Sequence, residues 1–131
     1  MEEGFPCRKQ DEVFFKGILY PTSEHAFQAM KSLDEEERQE IALLPTPGKA
    51  KRAGKKLTLR ADWEEVKEEV MHAILVCKFS KPELKEKLLD TCDAVLVEGN
   101  SWGDREWGVC DGVGKNKLGK ILMLVREKLR G

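Results

Sequence analysis

A chain of 131 residues fits one domain and buries about two thirds of the surface its unfolded form exposes. Its 23 basic and 24 acidic residues leave a net charge of −1, which excludes a global field drawing it to nucleic acid or a membrane surface. With no signal peptide and no apolar run near the ~18 residues of a membrane span, the expectation is a soluble, cytoplasmic protein without a membrane partner.

The chain opens with short extended segments, Val13-Phe14-Phe15 and Ile18-Leu19-Tyr20, flanking a Lys16-Gly17 turn. A helix is predicted from about Ser23 to Ser32, capped by Thr22 or Ser23. A second begins at Asp34, where an acidic run suits the positive end of the helix dipole. Thr46-Pro47 reads as a cap followed by proline at the first helical position, with Gly54 as the stop. Asp62 and Glu65 have capping-box spacing ahead of the longest helix, whose inward stripe is Trp63, Val66, Val70, Ile74 and Cys77. Lys81-Pro82 starts a helix reaching about Thr91, and Ala94-Val95-Leu96-Val97 reads as a short buried strand. After a glycine-rich loop, Leu118, Ile121, Leu122, Val125 and Leu129 define a final amphipathic helix. The expected fold is α+β: one compact, mainly helical domain spanning residues 1–131, with a small β-sheet.

The four cysteines (Cys7, Cys77, Cys92, Cys110) contain no Cys-x-x-Cys pair, and His25 and His72 are far apart in sequence. That spacing argues against a zinc site and against a disulfide scaffold, and no metal or cofactor is expected. On the first predicted helix, Glu24, Gln28 and Lys31 fall within about 60° of one another. Such a stripe is either a solvated face or the wall of a polar pocket. Residues 98–108 add carboxylates and indoles on a glycine-punctuated loop, with Glu98, Asp104, Glu106, Trp102 and Trp107. An indole on a loop is a stacking platform for a heterocycle. Trp63, on an apolar stripe, reads first as core. Residues 49–56 hold five cations, either a solvated helix or a phosphate-contacting surface. Gly112-Val113-Gly114 enters the final helix without the spacing of a nucleotide-binding fingerprint, yet glycines before a helix offer backbone N–H groups to a phosphate.

Taken together, the sequence resembles the NADAR family of YbiA-like N-glycosidases. The resemblance is carried by Tyr20-Pro21-Thr22-Ser23-Glu24-His25-Ala26-Phe27-Gln28-Ala29-Met30-Lys31, Pro47-Gly48-Lys49-Ala50-Lys51-Arg52-Ala53-Gly54 and Leu59-Arg60-Ala61-Asp62-Trp63. It continues through Lys78-Phe79, Asp104-Arg105-Glu106-Trp107-Gly108, Asn116-Lys117-Leu118-Gly119 and Val125-Arg126, in order and spacing over roughly residues 5–130. Family members begin with a longer segment ending in a Ser-Asn-Phe-type motif, to which only Phe5-Pro6 corresponds here. The resemblance implies cleavage between ribose C1 and an exocyclic amine. The implied substrate is ADP-ribosylated guanine in nucleic acid, often opposite a DNA ADP-ribosyltransferase toxin, or a small riboflavin-pathway ribosylamine phosphate. A non-catalytic ADP-ribose-binding module is a third reading. The implied catalytic residues are Glu24, stabilising positive charge at C1, Asp104, positioning ribose or water, and Lys31, as a Schiff-base nucleophile or a charge. Gln28, Arg60, Trp63, Lys78, Trp102, Trp107, Gly108 and Asn116 form the expected substrate-binding set. Within it, Arg60 and Lys78 are assigned to phosphate oxygens and Asn116 to ribose or phosphate.

Overall fold

The computed structural model describes residues 12–100, 104–110 and 112–130. The chain divides into two compact units, Met1–Lys81 and Pro82–Gly131.

In the first unit, β1 (Val13–Phe15) and β2 (Ile18–Tyr20) pair antiparallel with Val13 opposite Tyr20. The two-residue turn puts Lys16 and Gly17 at φ 52° and 85°, the positive values that a twist-compatible hairpin turn requires. Alternation then sends Val13, Phe15 and Tyr20 inward and Phe14 outward. Helix α1 (Ser23–Ala29) starts at Thr22, whose hydroxyl accepts from His25 N–H. It ends sooner than its sequence implied. Lys31 N–H bonds Gln28 O and Ser32 N–H bonds Ala29 O in tightened turns, while Arg60 N–H takes the Lys31 carbonyl at 2.7 Å. Helix α2 (Glu35–Ala42) starts one residue after Asp34, which caps it, and α3 (Pro47–Gly54) is capped by Thr46 with proline at its start, as expected.

Helix α4 (Trp63–Phe79) corrects two expectations. Asp62 makes no side-chain cap, because its carboxylate accepts from Arg60 Nε at 2.7 Å and Nη2 at 3.1 Å. A bidentate charge-assisted pair is stronger than a neutral N–H contact. Cys77 is exposed rather than core. The buried face is Trp63, Met71, Ile74 and Leu75. At roughly 100° per residue, Val66, Val70 and Cys77 lie on its flank. Helix α1 packs against α2, α3 and α4, and its buried face of Ala26, Phe27 and Ala29 belongs to this unit's core.

In the second unit, α5 (Pro82–Leu89) ends two residues before its expected limit and packs against α6 (Lys117–Arg130), with Leu84, Leu88, Ile121 and Val125 buried. Residues 94–97 do not form the expected buried strand: Val95 is 76% and Val97 57% exposed. Pairing starts later, where β3 (Gly99–Asn100) runs parallel to β4 (Val109–Cys110). The mainly helical α+β class stands. Among the described residues no helix is long and apolar enough to cross a membrane.

Candidate functional site

Glu24 and Gln28 are one turn apart on α1, and Gln28 Nε2 donates to Glu24 Oε2 at 2.6 Å. Gln28 is 4% exposed, whereas Glu24 and Lys31 are half-buried. The stripe is therefore no solvated face. Between the two, fully buried His25 anchors the helix: Nε2–H donates to Leu44 O at 3.0 Å and Nδ1 meets the Thr22 hydroxyl at 2.8 Å. A carbonyl can only accept, so that contact fixes the proton on Nε2.

Lys31 lies just past the helix on a braced segment. The Ser32 hydroxyl donates to Glu37, Arg38 Nε donates to Ser32 O at 2.8 Å, and Glu37 also receives the Thr58 N–H and hydroxyl. Burial pushes the Lys31 amine below the usual lysine value; the Glu24 carboxylate opposes this, and the cations of Lys51, Lys55 and Lys67 reinforce it. Desolvation and neighbouring cations both favour the uncharged form of an amine relative to one in water.

Around this group, Arg60 is committed to Asp62 yet borders two clefts of about 410 and 500 Å³. Trp63 is buried, its ring centroid 5.0 Å from that of Phe27, which matches the core reading. Lys78 Nζ stands 5.8 Å from the Phe79 ring centroid.

The second unit holds the other expected residues. Asp104 Oδ1 accepts from Glu106 and Trp107 N–H groups at 3.1 and 3.0 Å, so it shapes the loop that presents half-buried Trp107. Gly108 is buried and its carbonyl accepts from Asn116 N–H. The carbonyls of Glu106 and Trp107 likewise accept from Lys117 and Leu118 N–H. These three N–H groups at the start of α6 are taken by the chain's own carbonyls. The Asn116 side chain is also engaged, accepting from Glu98 N–H and donating to Leu96 O, both at 2.8 Å. Gly119 permits this, since a Cβ there would stand 2.3 Å from Leu96 O. Trp102 lies outside the described residues. Among the described residues no cluster of three or more histidine, cysteine or carboxylate side chains is placed to hold a metal ion.

Two residues that the sequence did not assign to the site emerge as its supports: His25 and Glu37. Of these only His25 carried a signal, as a histidine beside the apolar run Ala26-Phe27 of a helix.

The NADAR domain family model matches residues 2–130. N-glycosidase YbiA of Escherichia coli strain K12 is 47% identical over 117 residues, covering 86% of this chain and 72% of the relative. The chloroplastic riboflavin biosynthesis protein PYRR of Zea mays is 36% identical over 131 residues, covering 87% of this chain but 20% of the maize protein. The solution NMR structure of Escherichia coli YbiA superposes with a TM-score of 0.81 at 45% identity, covering 91% of this chain and 73% of that one. The chain belongs to the NADAR family and shares the fold solved for YbiA.

Proposed function

We propose that this protein is an N-glycosidase that hydrolyses the bond between ribose C1 and an exocyclic amine, releasing ADP-ribose from ADP-ribosylated guanine in nucleic acid. The observation that carries the reading is a half-buried Lys31 amine within electrostatic reach of the Glu24 carboxylate, its pKa lowered by burial against that carboxylate's opposing pull. The leaving nitrogen bears a hydrogen, so its lone pair can form a C1=N bond as C1–O4′ opens and O4′ takes a proton. Neutral Lys31 adds at C1, and the base amine departs with a proton. Water then hydrolyses the lysine imine and O4′ recloses on C1. Glu24 stabilises the positive charge that develops at C1 throughout. A second reading, hydrolysis of a small ribosylamine phosphate, is favoured by the name of the maize relative.

Incubation with an ADP-ribosylated guanine oligonucleotide and, separately, with the riboflavin-pathway ribosylamine phosphate separates the two substrates. Glu24→Gln should lose about 10²-fold or more in kcat while ADP-ribose still binds. Borohydride added during turnover should trap an adduct on Lys31, and Lys31→Arg should be nearly inactive, since guanidinium is no nucleophile at neutral pH. A fully active, folded Glu24→Gln protein overturns the carboxylate's role, and an active Lys31→Arg enzyme overturns the nucleophile.

A further inference from the structure

Gln28 is more confined than a helix-surface amide. A carboxylate only accepts, so the 2.6 Å contact with Glu24 identifies the nearer amide atom as Nε2 and turns Oε1 away. That oxygen is wholly buried and has no hydrogen-bond partner among the described residues. It faces Gly54, the last residue of α3. A Cβ built on Gly54 would stand 2.0 Å from Oε1, 2.9 Å from Cδ and 3.2 Å from Cβ of Gln28. The backbone of α3 is thus a wall along the side of the glutamine, approachable this closely only because residue 54 has no side chain. A buried acceptor left unsatisfied costs free energy. An ordinary i,i+4 pair on a solvated helix face carries no such cost.

We propose that Gln28 is a positioning residue: the bare backbone at Gly54 confines its amide so that Nε2 fixes the orientation of the Glu24 carboxylate. The proposal rests on Glu24 being the carboxylate that serves the cationic C1. A glutamate has three rotatable side-chain bonds. Held by one donor whose own rotamer is locked by packing, it keeps the tight geometry that a site built on a rigid helix requires.

The test compares Gln28→Met, Gln28→Ala, Gly54→Ala and the double variant Gln28→Ala/Gly54→Ala, with Glu24→Gln in parallel, on whichever of the two substrates is turned over. Methionine keeps the volume and removes the donor, so a folded Gln28→Met protein should lose about 10- to 10²-fold in kcat with KM nearly unchanged. Gly54→Ala should lose kcat similarly, because its methyl displaces the amide. In the double variant the methyl enters vacated space, so kcat should be no lower than in Gln28→Ala alone and Tm should exceed that of Gly54→Ala. Full kcat in Gln28→Met, or losses that multiply in the double variant, would overturn the positioning role. An inactive Glu24→Gln beside a fully active Gln28→Met refutes the positioning alone. A fully active Glu24→Gln refutes the underlying reading as well.

Discussion

Glu37 shows how one carboxylate braces the segment that carries Lys31. It receives the Ser32 hydroxyl, the Thr58 N–H at 3.3 Å and the Thr58 hydroxyl at 3.2 Å. These donors, Ser32 foremost, hold its carboxyl below the usual glutamate range. Because the folded value is the lower one, its stabilising contribution is fully present above the ordinary value of about 4.3 and fades as pH falls through the folded value. The stability advantage of the wild type over Glu37→Gln in urea denaturation should therefore shrink between roughly pH 6 and pH 3. A gap that stays constant would show that the carboxylate's ionised form is not what the brace uses. At this scale helical spacing exposed the Glu24–Gln28 pair, whereas Lys31, expected on the same stripe, lies past the end of α1. The sequence hid Gly54 and Glu37, whose partners lie 26 and 21 residues away in the chain (Gln28 and Thr58).

Helices α2, α3 and α6 were readable from an acidic start, a cap followed by proline, and an apolar period, because those signals are local. The miss at residues 94–97 has a structural cause. Leu96 and Glu98 find their hydrogen-bond partner in the Asn116 side chain, which supplies one acceptor and one donor as a neighbouring strand would. An apolar run predicts a strand only when a backbone comes to pair with it. Asn116 also adopts φ 52°, a conformation that asparagine tolerates better than most residues. Asn116→Ala should accordingly lower the unfolding free energy by about 1–3 kcal/mol, as two backbone groups lose their partner. The role anticipated for Asn116, binding ribose or phosphate, makes a different prediction: weaker ADP-ribose affinity with Tm unchanged. Calorimetric melting and a titration on the same variant decide between them.

Over the whole molecule, a net charge of −1 provides no long-range attraction for a polyanion. Any nucleic-acid affinity must come from local cations, and Lys51 and Lys55 on and just after α3 already act electrostatically on Lys31. If they meet phosphates, log KM for a modified single-stranded oligonucleotide should rise with log salt by about 0.7 per contact. Replacing either lysine with glutamine should remove about one contact's worth of that slope. A slope that neither substitution alters would place the polyanion elsewhere. The class of the fold was legible in composition and hydrophobic period. The division into two compact units was not, because it depends on which elements pack together rather than on any local break in composition.

The close approach of Gln28 and Gly54 also constrains how this protein can change over generations. Every missense mutation of a glycine codon adds at least a Cβ, so no conservative replacement exists for Gly54 while glutamine stands opposite. Shortening residue 28 first opens the space for a later alanine at 54 but gives up the amide that holds Glu24; the reverse order passes through a variant whose methyl must displace that amide. The order of substitution at this pair therefore matters: once position 54 carries a methyl, a returning glutamine meets it.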